Sequence, residues 1–465
     1  MNLNVRSIVL VDGEHYPPVT ARAIAALRAA GEEPVLALLV GGREKLGQVP
    51  LDLGVPVEVA DDPEAALASA IPAVGAGRVL DLSDEPVLGN VARCRLASVA
   101  LWRGASYQGA DFQFAPPPRP EISDVASVSV IGTGKRTGKT ALAGQAARVW
   151  KAAGLDPVVV AMGRGGPPEP EVLTAGEVLD PLRLLTWSES GRHAASDYIE
   201  DALMAGVPTV GAWRAGGGLA GATYFGNYPQ ALEAARRLNP GLLLLEGSGA
   251  AIPPARADAC VLVVNAGIDP EHLCGYFGLF RVLLADLVVF TMCEDPTALR
   301  QFAVVEDCVR NRPGPSPEIV RTVFRPHPLG DVSGKRTWFA TTAGSQATSV
   351  LKQHLEGTYG AKVVGISHAL ADRRQLERDL RDAEEAQVLA VELKAAAVDV
   401  VTRFGVDRGI EVVYVDNRAV SVGSSTEGAV EEQLLAVAAR AGERFAIRTA
   451  AAEEARRNEA GVREG

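Results

Sequence analysis

The feature that most constrains this chain is the nonapeptide Gly132-Thr133-Gly134-Lys135-Arg136-Thr137-Gly138-Lys139-Thr140, which follows an apolar run at 126–131 and precedes an amphipathic stretch opening at Ala141. A glycine-rich loop between a buried strand and a helix start turns backbone N–H groups inward and adds the helix dipole, so it cradles phosphate. Lys139 reaches the outer phosphates and the Thr140 hydroxyl serves Mg²⁺, while Gly134, Thr137, Gly138, Lys139, Thr140 and Ala141 form the nucleotide cradle. The usual spacing places a glycine at position 133; this chain has Thr133, with Gly132 and Gly134 on either side, a one-residue variant of the loop.

Such a loop sits at the edge of a doubly wound sheet. Short, nearly continuous apolar runs at 126–131, 157–161, 242–245, 260–264 and 287–290 alternate with helical segments, the pattern of parallel strands covered on both faces. An earlier alternation, with strands at 7–11, 34–40 and 78–82 and a helix over 19–30 stopped by Gly31, predicts a separate parallel-sheet unit. The stretch Ala115-Pro116-Pro117-Pro118-Arg119-Pro120 reads as a stiff linker or surface strap. Beyond about residue 315, strands are expected at 319–324, 338–342, 362–366 and 410–415 and a long helix at 371–401; whether these extend the central sheet or form a third unit stays open. The expectation is an α/β chain. It has an N-terminal parallel-sheet domain (1–120) contributing to the substrate site, a P-loop NTPase-like doubly wound domain (121–345), a C-terminal α/β extension (346–452) and a flexible tail (453–465).

Composition narrows the partners. Asp and Glu number 57 against 46 Lys and Arg, a net charge of −11 over 465 residues, which argues against nucleic acid or an anionic membrane as partner and requires any polyanion to be held by a local cationic pocket. The five cysteines, Cys94, Cys260, Cys274, Cys293 and Cys308, are scattered without close pairing or zinc spacing, which fits a reducing cytoplasm. The first apolar run stops at Asp12, too soon for a signal segment, and the best candidate span at 278–292 is interrupted by Arg281 and Asp286. A cytoplasmic location is expected.

A second element belongs with the loop. The run 242–245 ends in Glu246-Gly247-Ser248-Gly249, which places one carboxylate at the carboxyl edge of the sheet, facing Thr140 across a metal ion. The loop and this Glu-Gly-Ser-Gly element resemble those of dethiobiotin-synthetase-type P-loop ligases. More closely, the chain resembles the cyclic 2,3-diphosphoglycerate synthetase family in DGEHYPP at 12–18, the loop itself, GRGG at 163–166, HAASDY at 193–198, GGGLAG at 216–221, RPHP at 325–328 and LKAAA at 393–397. The resemblance implies use of ATP to close the two phosphates of 2,3-diphosphoglycerate into an internal anhydride, releasing ADP and phosphate.

That chemistry brings two dianionic groups together, so it requires more positive charge than one P-loop lysine. Lys135, Arg136 and Lys139 lie by the γ-phosphate. Arg164, in a glycine-flanked strand-end turn, and Arg214, followed by three glycines, are expected at the substrate, where arginine grips phosphate with two parallel donors. Asp12 and Glu14 are candidates for the substrate and His15 for a proton shuttle, against the alternative of a polar, helix-capping turn. Arg325, His327 and Lys394 are weaker substrate candidates, as are Lys335 and Arg336; Lys394 falls in a helical pattern where an exposed lysine is the default. His193, Ser196 and Asp197 read as a helix start, since three residues so close in sequence do not converge into a hydrolytic triad. Thr291-Met292-Cys293-Glu294 stands where the base is recognised and lacks an Asn-Lys-x-Asp pattern, which favours adenine; Cys293 reads as packing. The expected complement is ATP, Mg²⁺ and K⁺, a small-molecule substrate and a homodimer. Alternatives are a P-loop ligase or kinase activating another phosphorylated or carboxylate acceptor, and a non-catalytic nucleotide switch. Against the switch stand Gly134, where partitioning switches carry a lysine, and the lack of a Cys/His cluster.

Overall fold

The computed structural model describes residues 5–45, 51–122, 124–294, 298–394, 396–423 and 429–463; Ala395 of the LKAAA motif and residues 464–465 of the tail lie outside them. The first unit is a six-stranded sheet in the order Val57–Val59, Glu33–Leu39, Arg6–Val11, Arg78–Asp81, Ser106–Gln108, Gln113–Phe114, parallel except for its last strand. Helix Pro17–Ala29 opens on prolines and is followed by Gly31 at φ +93°, so the stop signal read from the sequence is used.

The second sheet has thirteen strands. Its parallel half runs Thr209–Ala215, Pro157–Gly163, Leu242–Glu246, Ser127–Gly132, Ala259–Asn265, Leu287–Thr291, Glu318–Pro328. The later strands do not form a separate sheet: Glu318–Pro328 pairs antiparallel with Glu411–Ser421, which leads on in parallel to Val388–Glu392, Arg336–Ala340 and Lys362–Ser367. The register explains how. Residues 318–321 pair with 287–290, and residues 322–328 run past the end of that neighbour to pair with 415–421. The two parallel halves therefore point their carboxyl edges toward one another.

Three expectations change. The helix expected over 371–401 is instead a short helix Arg373–Asp379, a 3₁₀ turn Leu380–Ala383, the strand Val388–Glu392, a π turn Ala397–Thr402 and a helix Arg403–Arg408. The run Val388-Leu389-Ala390-Val391 is buried on both faces between two strands, and that demand overrides the helical propensity of its alanine-rich surroundings. The tail expected to be flexible from residue 453 is the end of a 35-residue helix, Ala429–Arg463. That helix is anchored earlier by buried Leu434, Val437 and Ala441 and by Arg444 and Arg448 on Asp286 and Asp258. Finally, Cys274 and Cys308 are bonded, so the expected absence of pairing fails at these two positions.

The two sheets share a core. Helix Asn90–Trp102 packs on helix Gly278–Leu284, and Leu96 and Val99 join Phe277, Phe280, Leu262 and Phe290 in one apolar cluster. Phe114 meets Phe277 edge-on at 4.7 Å. The proline-rich segment is a strap, held where Arg256 N–H donates to Pro120 C=O at 2.9 Å. No described helix is long and apolar enough to cross a membrane.

Candidate active site at the phosphate-binding edge

The strand Ser127–Gly132 is buried throughout, and the loop after it enters helix Lys139–Ala152 through Gly138 at φ +85°. A side chain at Gly138 would also strike the ring of Phe324, so glycine is required twice over there. Thr133 is not in the left-handed region, which explains why this position tolerates a side chain. The Thr291 hydroxyl donates to Thr137 C=O at 2.9 Å and ties the loop to the neighbouring strand. Lys135 and Arg136 stand exposed on the crown of the loop.

Lys139 is buried and pairs with the fully buried Glu246 at the end of strand Leu242–Glu246. Burial opposes the ammonium charge, but Glu246, Asp197 and Asp201 outweigh it and hold its pKa above the ordinary value. Helix Asp197–Ala205 packs against the P-loop helix and contributes Asp201, whose side chain has no solvent exposure. Burial, then the Glu246 charge, raise the Asp201 pKa well above its ordinary value. Neither Asp201 oxygen nor Glu246 Oε2 finds a donor among the described protein groups. The preceding residue, Glu200, accepts from the Lys394 ammonium at 2.9 and 2.8 Å. Burial lowers the Lys394 pKa, but Glu200 more than compensates and it is pushed up to about 12. Lys394 follows the strand Val388–Glu392 rather than lying within a helix, and the facing carboxyl edges bring it to this cluster.

The expected arginines converge on the same edge. Arg164 and Arg214 both reach Gly249: a Cβ there would lie 3.3 Å from one guanidinium and 3.7 Å from the other. Arg214 donates to Ser248 C=O at 2.8 Å and Gly216 C=O at 2.9 Å, while its Nε has no partner. Burial and then Arg164 lower the Arg214 pKa, with Asp197 opposing, the electrostatics of two cations held together without an anion between them. The glycine turn carrying Arg164 is braced from HAASDY: His193 Nδ1–H donates to Ser196 Oγ at 2.8 Å and Ser196 donates to Gly165 C=O at 2.6 Å. Ser196 is the N-cap of helix Asp197–Ala205, so the helix-start reading holds and no triad forms.

The other candidates have partners of their own. Asp12 Oδ1 accepts the backbone N–H groups of Glu14 at 3.0 Å and His15 at 3.1 Å, Oδ2 accepts that of Asp84 at 2.7 Å, and His15 Nδ1 sits 2.7 Å from Oδ1. The carboxylate thus organises its own turn on the first sheet. Burial pushes the Asp12 pKa up, yet these bonds, led by the Asp84 N–H, hold it below the ordinary range; the Asp12 bond in turn raises His15. Among the described residues no hydrogen bond or ion pair joins Asp12 or His15 to the P-loop. Arg325 is committed to Glu294 at 2.8 and 2.6 Å. His327 Nδ1 lies 2.6 Å from the Tyr359 hydroxyl, and burial, with Arg418 and Arg148, pushes its pKa down to about 4. Lys335 is paired with Glu411 at 2.8 Å. Arg336 donates to Glu385 C=O at 2.8 Å.

The residues missed in the sequence are Glu200 and Asp201. With Asp197 they recur at i, i+3 and i+4 on one helix face, a spacing that could have marked them.

A glycine-rich loop at the carboxyl end of a central parallel strand, with an acidic residue ending the adjacent strand, defines a P-loop nucleotide-binding α/β protein. Three family profiles match in succession: the N-terminal domain of cyclic 2,3-diphosphoglycerate synthetase over residues 6–115, its P-loop domain over 127–323 and its C-terminal domain over 328–418. Proteins named cyclic 2,3-diphosphoglycerate synthetase include one from Rubrobacter xylanophilus, 44% identical over 423 residues (90% of this chain, 95% of that protein). Others come from Methanothermobacter thermautotrophicus, 42% identical over 457 residues (95% and 97%), and Thermococcus gammatolerans, 47% identical over 424 (89% and 94%). The chain belongs to the cyclic 2,3-diphosphoglycerate synthetase family.

Proposed function

We propose that this enzyme uses ATP to convert 2,3-diphosphoglycerate into cyclic 2,3-diphosphoglycerate, with release of ADP and phosphate. The observation that carries the reading is the meeting of Arg164 and Arg214 over Gly249 beside the P-loop, two guanidinium groups that form no ion pair among the described residues. The nucleotide lies along the backbone of Gly134, Thr137, Gly138, Lys139, Thr140 and Ala141, and Lys139 exchanges Glu246 for the phosphates. Lys135 and Arg136 reach the γ-phosphoryl group from the loop crown, while Arg164, Arg214 and Lys394 hold the acceptor. Its phosphate oxygen attacks the γ-phosphorus and ADP leaves; the neighbouring phosphate oxygen then attacks the acceptor phosphorus, inorganic phosphate leaves, and the ring closes. Attacker and target on adjacent carbons make the second step intramolecular, which lowers the barrier by about several kcal/mol.

Mg²⁺ suits the donors available. Among the described residues no group of three or more His, Cys, Asp or Glu is arranged to hold a metal, whereas the Thr140 hydroxyl and the Glu246 carboxylate, with its unpartnered Oε2, are oxygen ligands for an ion completed by phosphates and water. Held there, it would neutralise charge on the transferring phosphoryl group.

Further from the loop, Asp12, Glu14 and His15 of the first domain (1–120) serve the acceptor, as do Arg325 and His327, where the P-loop domain (121–345) adjoins the C-terminal extension (346–452). His15, whose pKa the Asp12 bond raises, offers a proton. In the same reading the enzyme is a cytoplasmic homodimer that uses K⁺ alongside Mg²⁺. Incubation with Mg-ATP and 2,3-diphosphoglycerate, followed by phosphorus NMR, should reveal an anhydride resonance growing in step with ADP. ADP release with a different acceptor and no cyclic product would overturn the reading.

A further inference from the structure

The edge of the second sheet opposite the P-loop contains a cavity of about 580 Å³ lined by Arg103, Arg119, Arg256, Arg444 and Arg448. Its floor is formed by the amino ends of the strands that begin at Ser127 and Ala259, and its walls by the end of helix Asn90–Trp102, the proline strap and the long C-terminal helix. Five guanidinium groups face three carboxylates there, in a chain whose net charge is −11.

The pairing is incomplete in a specific way. Arg444 donates to both oxygens of Asp286 at 3.0 and 2.7 Å, Arg448 to Asp258 at 2.8 Å and Arg256 to Glu121 at 3.2 Å. Among the described residues neither Arg103 nor Arg119 is paired with a carboxylate: Arg103 stacks on Trp102, 4.0 Å from the ring centre, and Arg119, whose Nε is buried without a partner, lies over the Phe280 ring at 5.8 Å. Burial lowers its pKa, and Cys260 beside it is a neutral thiol, pushed up to about 12 by burial. Prolines 116, 117, 118 and 120 fix the backbone on either side of Arg119. A desolvated cation without a counter-charge is costly, and an entering anion removes that cost. A volume of this size admits a metabolite or mononucleotide, since ligand pockets run from roughly 300 to 1,000 Å³.

We propose that this cavity is a second ligand site, separate from the phosphate-binding edge, that takes a small phosphorylated anion through the forked donors of Arg119 and Arg103. The anion bridges the proline strap and helix Asn90–Trp102, and its two or more charges match the two guanidinium groups that lack carboxylates.

Trp102 supplies a local reporter. Inorganic pyrophosphate is titrated into the full-length protein, saturated with magnesium and a non-hydrolysable ATP analogue, and the Trp102 contribution is obtained by difference against Trp102→Phe. A saturable change absent from Trp102→Phe is expected, with its midpoint raised about tenfold or more in Arg119→Gln and in Arg103→Gln, and unmoved in Arg164→Gln. Arg103 is exposed, so its variant tests the site even if Arg119→Gln fails to fold. No Trp102-dependent change in the wild type, or a wild-type midpoint in folded Arg103→Gln, would overturn the site. Equal binding of malonate would overturn its assignment to phosphorylated anions. None of these readings depends on turnover, so loss of the cyclisation reading leaves them standing.

Discussion

At the level of single residues the phosphate edge is a set of charges waiting to be rearranged. Lys139 rests on Glu246, and its removal would strip the transferring phosphate of its nearest buried cation while leaving Glu246 and Asp201 as facing acids. Lys139→Ala should reduce turnover by about a hundredfold or more, the loss typical of a charge-stabilising donor; steady-state ADP release measures it. Asp201 makes a separate prediction through pH. Its folded pKa lies above the unfolded value, so the folded state binds the extra proton between the two. Stability is therefore full below about pH 4 and is lost progressively as the pH rises toward the folded pKa. Asp201→Asn keeps the shape and the donor but removes the titration. The difference in melting temperature between variant and wild type should move in favour of the variant from pH 4 to pH 8; a constant difference would mean that Asp201 is ionised.

Among elements, the P-loop helix is joined to the second half-sheet by the Arg148–Asp416 ion pair at 2.8 Å and by one buried amide, Gln145. Gln145 donates to Ala419 C=O at 3.0 Å and accepts from Ala419 N–H at 2.8 Å, pairing a helix with a strand 274 residues away. Gln145→Leu leaves both backbone groups buried and unpaired and should cost about 3 kcal/mol in urea denaturation, with ATP binding retained in the folded fraction. Nothing in the local sequence announces this contact. Elements whose character is local were legible: the loop, the apolar run ending in Glu246, the Gly31 stop and the helix opening at Asp197 each carry their cause within a few residues. The strand Val388–Glu392 was not, because its alanine-rich surroundings suit a helix and only sheet neighbours from distant segments decide otherwise. Glu200, Asp201 and Lys394 were obscured for the same reason. Their roles depend on helix Asp197–Ala205 lying against the P-loop helix and on the sheet reversing direction at Glu318–Pro328, neither of which the sequence states. For Asp12 the sequence left a capping turn and a ligand equally open; the hydrogen bonds at 3.0, 3.1 and 2.7 Å form the turn, and a ligand role is compatible with it.

Over the whole molecule, the sheet reversal sets two carboxyl edges face to face, and in a chain of net charge −11 Lys135, Arg136, Arg164, Arg214 and Lys394 are the cations proposed to serve the acceptor there. A multiply charged acceptor approaching such a molecule is repelled by the acidic surface at large and attracted close to the cations of the phosphate-binding edge. The two contributions differ in reach: at about 0.15 M salt the Debye length is about 8 Å, so added salt removes the long-range repulsion first and the short-range attraction later. Acceptor kcat/KM should accordingly pass through a shallow maximum as ionic strength rises from a few millimolar, and then fall, with K⁺ and Mg²⁺ held fixed and tetramethylammonium chloride as the variable salt. In Arg164→Gln/Arg214→Gln the later fall should flatten while the early rise persists, because the rise belongs to the whole surface and the fall to those two guanidinium groups. A double variant with an undiminished fall would place the acceptor elsewhere on the molecule.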